Sequence, residues 1–377
     1  MTPFETPIYV TRPNLPPLDE VIAGLREIWD NRWLTNRGPV LLRFEQRLAE
    51  VLRADHLSVF TNGTLALELG LQALGLTGEV VTTPFTFAAS VNALVRAGLT
   101  PVFADIEPDH LTLDPDRVEA AITPRTTAIL AVHVFGHPCR LERLAGIAEK
   151  HGLRLIYDAA HAFGVTIGGE SIAGFGDMTM FSLHATKQIH SLEGGALAFR
   201  RAELKRSLEI LANHGLEADG DVVRPGTNAK MTEVQALTGL LMLDRLPELI
   251  ASGRAIEAIY RERLAAAPGI DCLALPDLGV RLNHAFMPVI IDEAKAGLTR
   301  DELHAILLRH NVVSRKYFYP AACDMAAFRH FPAADSLRRA RDAAQIVLAL
   351  PTYATLPPDD VHRICDLIIA IRAGKIH

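Results

Sequence analysis

The chain is 377 residues long, 49% hydrophobic and 22% charged, with a formal net charge of −6. That length suits two domains, or one large domain with a smaller one, and the composition excludes a disordered chain or a coiled coil. The acidic balance and the lack of a dense Lys/Arg run exclude a nucleic-acid binder held by phosphate neutralisation, so the expected partner is a small molecule.

No window of 18 apolar residues is present, and the opening "MTPFETPIYVTRPNLPP" lacks the basic-then-apolar order of a signal peptide. A soluble, cytoplasmic protein with no membrane partner is the expectation. Cys139, Cys272, Cys323 and Cys365 are scattered without Cys-x-x-Cys pairing, which reads as reduced packing thiols and gives no metal site.

From about residue 58 to 200, short β-branched runs alternate with helical patterns, the order of βαβ units on a parallel sheet. "EVVTTP" at 79–84, "PVFADI" at 101–106, "TTAILAVHVFG" at 126–136, "LRLIYDAA" at 153–160, "GDMTMFSL" at 176–183 and "GALAFR" at 195–200 read as strands. Between them, "TLALELGLQALG", "FAASVNALVRAG", "DPDRVEAAI" and "LERLAGIAEKHG" carry apolar residues at helical spacing. The spacing over 231–266 predicts one long helix with a bend near Pro247. Beyond it lie the strand "HAFMPVII", the helix "RDELHAILLRHN", the motif "SRKYFYP" and a last helix starting near "PPDDVHRICDLI". The expected architecture is a large α/β domain over 1–245, a mostly parallel sheet covered by helices, with a smaller C-terminal α+β domain over 246–377.

In open α/β sheets, ligands bind beyond the carboxyl ends of strands, so the residues that follow each run carry the interest. Asn62-Gly63-Thr64 opens a helix after the first run. Its glycine and hydroxyl suit a phosphate at the positive helix end, and equally an ordinary helix cap. Asp158 ends the apolar run "LRLIY", where a carboxylate is costly to bury without a cationic partner or strong donors. Ser182, His184 and Lys187 follow the next run. A lysine in such a stretch is ordinarily a surface charge with its stem laid along the protein. One cofactor, however, asks for this set together. Pyridoxal 5′-phosphate needs a lysine for a Schiff base, an acid to pair with its ring nitrogen and a cradle for its phosphate.

These stretches, read together, resemble the DegT-type nucleotide-sugar aminotransferases, a family of fold-type I pyridoxal-phosphate enzymes. The resemblance runs nearly end to end. It is carried by "WLTNRGP" at 33–39, "TNGTLAL" at 61–67, "TPFTFAASVNALVRAGLTPVFADIEPDHLTLDPD" at 83–116, "ITPRTTAILAVHVFGHPC" at 122–139 and "YDAAHAFG" at 157–164. "SLHATK" with "EGGA" at 182–196, "GTNAKMTEVQA" at 226–236 and "LPTYATLPPDDV" at 350–361 extend it. The resemblance implies that Lys187 holds the cofactor covalently and Asp158 pairs with the pyridine nitrogen. It implies that Phe87 stacks on the ring, where the alternative is a core aromatic like Phe85. Gly63, Thr64 and Ser182 would hold the phosphate, and Asn228 with Lys230 would reach the phosphate of a neighbouring subunit's cofactor, giving a homodimer with shared active sites.

Two positions depart from the family pattern. His161 stands where many members have glutamine, near the cofactor's phenolic oxygen, and an imidazole can still donate there. Ala229 stands where a tyrosine is common, so an aromatic wall of the substrate pocket is missing. Lys187 itself argues against the sister enzymes that dehydrate sugars and carry histidine at that position. "HVFGHPC", "SRKYFYP" and "WLTNRGP" are similar to the branch that aminates the C4 ketone of dTDP-4-keto-6-deoxyglucose. Arg315, Lys316, Tyr317 and Tyr319 suit a diphosphate or a nucleotide base, and equally a solvated edge strand.

The implied activity moves an amino group from an amino acid, glutamate, to a nucleotide-linked keto sugar. A 3-keto sugar nucleotide, a cyclitol or another ketone is the alternative acceptor, and a non-catalytic cofactor-binding regulator is the alternative class. A dehydrogenase is discarded, because no Gly-x-Gly-x-x-Gly joins a strand to a helix.

Overall fold

The structure, a computed structural model, describes residues 2–276 and 279–376. The strands β1 (His56–Phe60), β2 (Glu79–Thr82), β3 (Thr100–Phe103), β4 (Thr126–Val132), β5 (Arg154–Asp158), β6 (Met178–Ser182) and β7 (Gly195–Phe199) form one seven-stranded sheet. Their spatial order is β1-β7-β6-β5-β4-β2-β3. Each strand is a near-continuous apolar run, because both faces are covered. On β5, for example, Leu155 and Tyr157 join the core on one face and Ile156 the core on the other.

Helices α1 (Leu18–Asn31) and α2 (Pro39–Leu52) precede the sheet, and α3 (Gly63–Ala73), α4 (Ala88–Arg96), α5 (Pro115–Ala121) and α6 (Leu141–His151) make its crossovers. Pairings β2–β3, β2–β4, β4–β5 and β5–β6 are parallel, as such crossovers require. The segment from β6 to β7 holds no helix, and β7 accordingly runs antiparallel to both β6 and β1. That reversal sets the C-terminal ends of β1, β5 and β6 and the N-terminal end of β7 along one edge. The loop carrying Lys187 leaves from that same edge.

After α7 (Glu203–Ala212), the expected long helix is two, α8 (Glu233–Leu243) and α9 (Leu246–Leu264), parted at Asp244 and Arg245. Pro247 lies in the first turn of α9, where its missing N–H would have no intrahelical acceptor, so it starts a helix instead of bending one. The expected strand over 126–136 likewise stops at Val132 and enters a short 3₁₀ turn in which Phe135 adopts φ 54°. α8 also serves α2: Gly38, which precedes α2, has no side chain, and the buried Glu233 carboxylate accepts from Val40 N at 2.8 Å and Leu41 N at 3.1 Å.

The C-terminal part packs an antiparallel sheet of β8 (Ile270–Cys272), β9 (Met287–Ile291) and β10 (Val347–Leu350) with α9, α10 (Arg300–Arg309), α11 (Arg338–Ile346) and α12 (Pro358–Arg372). Its core joins Ile256 and Tyr260 of α9 to Val361 and Ile364 of α12. Phe4 and Ile8 are buried in this core, although sequence grouped the N-terminal segment with the larger part, because Ile8–Tyr9 pairs with Val312–Val313. Among the described residues no helix is long and apolar enough to cross a membrane.

Candidate active site

The sheet edge where β1, β5 and β6 end opens onto a cavity of ≈ 250 Å³. Gly63, Thr64, Phe87, Asp158, His161, Ser182, Lys187, Arg315 and Tyr317 all line it.

Asn62 is the N-cap of α3, and its side chain accepts from Leu65 N at 2.9 Å. The cap is therefore supplied by Asn62, and the earlier N–H groups of the helix, at Gly63 and Thr64, keep the free valences and positive dipole end that suit an anion. Ser182 ends β6 beside them, half-buried. Close packing makes this cradle: a Cβ on Gly195 would lie 2.6 Å from Gly63 Cα and from the Asn62 carbonyl carbon. Phe87, the N-cap of α4, is 56% exposed at the cavity while its neighbour Phe85 is 0% exposed in the core, so the two adjacent aromatics divide between platform and packing.

Asp158 is 4% exposed. Its Oδ1 accepts from Ala160 N at 2.9 Å and its Oδ2 from Ser90 Oγ at 2.7 Å. Burial raises its pKa above the ordinary value, and the Ala160 N–H, the Ser90 hydroxyl and the Lys187 charge pull the other way. Such a carboxylate is poised to stabilise a cation placed against it.

Lys187 sits on a turn closed by Lys187 N donating to His184 O at 2.8 Å, and the next residue, Gln188, pins the loop by donating to Asn283 O at 2.9 Å. Desolvation in the cavity pushes its amine down to about 8; Asp158 opposes that and the Arg315 charge adds to it. A neutral amine at near-physiological pH is a nucleophile toward a carbonyl. The Lys187 ammonium position is 5.7 Å from the Phe286 ring centre.

His161 is held by an aromatic cluster, 4.0 Å from Phe286 and 5.8 Å from Phe318 between ring centres. Burial drives its pKa well below the ordinary value, with the Lys187 and Arg315 charges adding. Its Nδ1 faces Phe135 N at 3.2 Å and must accept there, so the neutral ring carries its proton on Nε2. The ring is thus a fixed hydrogen-bond donor that does not charge.

Four sequence-singled residues lie elsewhere. Lys316 Nζ pairs with Asp301 Oδ1 at 2.8 Å, and Tyr319 stacks under Arg300 with 5.1 Å between guanidinium and ring centre, so both turn away from the cavity. Asn228 is exposed, and Lys230 donates to Asn213 Oδ1 at 2.7 Å beside a separate cavity that Arg37 and Arg206 also line. Arg315 stays at the mouth, its guanidinium 4.8 Å from the Tyr317 ring centre. Sequence patterns did not single out Ser90, Thr86, Glu193 or Phe286. Ser90 and Thr86 lie inside the quoted stretch at 83–116 with nothing in their residue type to mark them, and only the fold sets Ser90, in the first turn of α4, against Asp158 at the end of β5, with Thr86 behind it. Among the described residues no group of three or more His, Cys, Asp and Glu could hold a metal ion.

The chemistry of this donor set fits pyridoxal 5′-phosphate: an anion cradle, a ring platform, a buried carboxylate lacking a full cationic counterpart and a desolvated lysine converge on one cavity. Comparison with known proteins agrees. The pattern of the DegT/DnrJ/EryC1/StrS aminotransferase family matches residues 18–369. A dTDP-4-amino-4,6-dideoxy-D-glucose transaminase of Shigella dysenteriae is 41% identical over 369 residues, 98% of this chain and 100% of that protein. The crystal structure of DesI in the presence of its TDP-sugar product superposes with a TM-score of 0.94 at 40% identity, covering 100% of this chain and 95% of that one. The PLP-form of the sugar aminotransferase Spr1654 from Streptococcus pneumoniae, 25% identical, superposes at 0.89 over 98% of this chain and 100% of that one.

Proposed function

This chain belongs to the DegT/DnrJ/EryC1/StrS aminotransferase family and is a pyridoxal-phosphate-dependent transaminase, and from that premise we propose its substrates and the roles of its residues. The donor is an amino acid, L-glutamate. The acceptor is dTDP-4-keto-6-deoxyglucose, and the products are 2-oxoglutarate and dTDP-4-amino-4,6-dideoxyglucose. The observation carrying the reading is that Lys187 and Asp158 line one cavity of a chain alike end to end to a transaminase of that name. The enzyme works in the cytoplasm as a homodimer, needing neither a membrane nor a nucleic acid.

Bound there, the cofactor would supply an electron sink for the carbanion formed at the substrate's amine-bearing carbon. Lys187 would bind it covalently, and once released the amine, held near 8, can take and return a proton within the cavity. Asp158 would hold the ring nitrogen's proton, and Phe87 would lie against the ring face. The Gly63 and Thr64 N–H groups and the Ser182 hydroxyl would bind the phosphate, while His161 Nε2–H would donate to the phenolic oxygen. Arg315 at the mouth, stacked on Tyr317, would meet the donor carboxylate or the acceptor diphosphate. Asn228 and Lys230, outside this chain's own cavity, would serve the site of the second subunit.

The test incubates the protein with pyridoxal phosphate, glutamate and dTDP-4-keto-6-deoxyglucose, following 2-oxoglutarate and the mass of the sugar nucleotide. An aminated sugar nucleotide with matching 2-oxoglutarate is expected. One equivalent of 2-oxoglutarate per subunit with the sugar unchanged would refute the acceptor and retain the donor.

A further inference from the structure

Asp158 does not stand alone. Ser90 Oγ donates to its Oδ2 at 2.7 Å and lies 2.8 Å from Thr86 Oγ1, and both hydroxyl residues are only 1% exposed. An ionised carboxylate can only accept, so the single hydroxyl hydrogen of Ser90 is committed to Asp158 and Thr86 must donate to Ser90. The donor chain runs from Thr86 through Ser90 to Asp158. With Ala160 N–H on Oδ1 at 2.9 Å, each carboxylate oxygen has a fixed partner and the rotation of the group is set.

Ser90 sits in the first turn of α4, its N–H bonded to Phe87 O at 3.2 Å. A single helical turn therefore carries both the aromatic platform at the cavity and the hydroxyl that steers the carboxylate.

We propose that Ser90, backed by Thr86, is a positioning residue for the ring nitrogen of the cofactor: it orients Asp158 and keeps it anionic, so that the nitrogen keeps its proton. The proposal rests on the pyridoxal-phosphate reading of the cavity and on Asp158 as the partner of the ring nitrogen. Asp158 is buried, and burial favours its neutral form, while the Ser90 hydroxyl is one of three groups that oppose this. Removing that hydroxyl shifts the shared proton from the ring nitrogen toward the carboxylate.

The experiment reconstitutes Ser90→Ala with ¹⁵N-labelled pyridoxal phosphate and compares its ring-nitrogen resonance with that of the parent holoenzyme. In parallel, holoenzyme given glutamate without acceptor is washed by ultrafiltration, and loss of the amine form of the cofactor is timed. In that form nothing covalent ties the cofactor to Lys187, so retention reports only the remaining contacts. The resonance is expected to move from the pyridinium toward the neutral pyridine position, and loss to quicken at least about tenfold. kcat is expected to fall more than KM rises. Ser90→Thr, which keeps the hydroxyl, restores the parent resonance, and Thr86→Val gives a smaller shift in the Ser90→Ala direction. A Ser90→Ala protein that melts normally and shows the lysine-bound absorbance, yet has parent resonance and parent retention, overturns the proposal. If Ser90→Ala does not fold, Thr86→Val decides, and an unchanged resonance there overturns it. Absence of the lysine-bound absorbance in the parent would instead overturn the cofactor reading beneath it.

Discussion

Gly195→Ala should damage the phosphate cradle from behind while adding only one methyl group. The new Cβ would stand 2.6 Å from the Asn62 carbonyl carbon and oxygen and from Gly63 Cα, all of them backbone atoms. Ordinary carbon contacts need about 3.5 Å, so the start of α3 and the start of β7 must part by about 1 Å. β7 cannot yield easily, because Gly195 is registered with Phe60 on β1 and with Ser182 on β6. The strain is expected to cost about 1–3 kcal/mol of stability, the usual range for overpacking. The displaced N–H groups at Gly63 and Thr64 should weaken cofactor binding by about ten- to a hundredfold, the order of one lost hydrogen bond to a charged group. Thermal unfolding of the apoprotein reads the first quantity, and titration of the apoprotein with pyridoxal phosphate reads the second. Gly146→Ala on α6 is the control, since a Cβ there would meet nothing within 4 Å, and its cofactor affinity should match the parent's. If Gly195→Ala binds pyridoxal phosphate as the parent does, the cradle does not depend on this close approach and the reasoning fails.

Lys187→Met should raise the melting temperature of the apoprotein at pH 7 while abolishing the lysine-bound absorbance. Holding the amine near 8 in place of 10.5 makes the charged form about 3 kcal/mol costlier when folded, a net figure that already includes the opposing attraction of Asp158. Because the folded pKa is the lower one, the penalty is full below pH 8 and fades as pH rises toward 10.5, so the advantage of the variant should shrink over that window. Equal melting curves at pH 7 would contradict the desolvation of the amine. Glu233→Leu, which leaves Val40 N–H and Leu41 N–H without their carboxylate, should lose about 2–4 kcal/mol in urea denaturation, and a loss below about 1 kcal/mol would deny that α8 caps α2. His161→Gln should leave the shape of the kcat profile between pH 6 and 8 unchanged, since the imidazole is held neutral there. A step near pH 6.5 in the parent that the variant lacks would show that the ring does charge.

Much of this protein was legible in one dimension. The alternation of apolar runs with helical spacing gave the crossovers and so the parallel pairings, since parallel neighbours need a helix-length connection. Asp158 stood out because a carboxylate ending an apolar strand has to be compensated, and Lys187 because the run before it ends at the same sheet edge. Helix and strand ends were less legible. Pro247 starts α9 instead of bending a longer helix, and the strand at 126–132 stops where Phe135 takes a left-handed turn, both of them choices made by local backbone geometry that apolar periodicity does not record.

Other features belonged to the tertiary structure alone. Lys316 and Tyr319 share a motif with Arg315 and Tyr317, yet the first pair turns to Asp301 and Arg300 while the second pair faces the cavity, a division set by packing and not by the motif. The tautomer of His161 depends on the backbone N–H of Phe135, and the orientation of Asp158 on the Ser90 hydroxyl that the first turn of α4 brings to the end of β5. Local pattern determines which element a residue joins, because burial and backbone hydrogen bonding repeat along the chain. Which hydrogen bonds a buried polar group makes is decided by the few atoms that packing brings within 3 Å of it, and those come from segments no sequence window contains together.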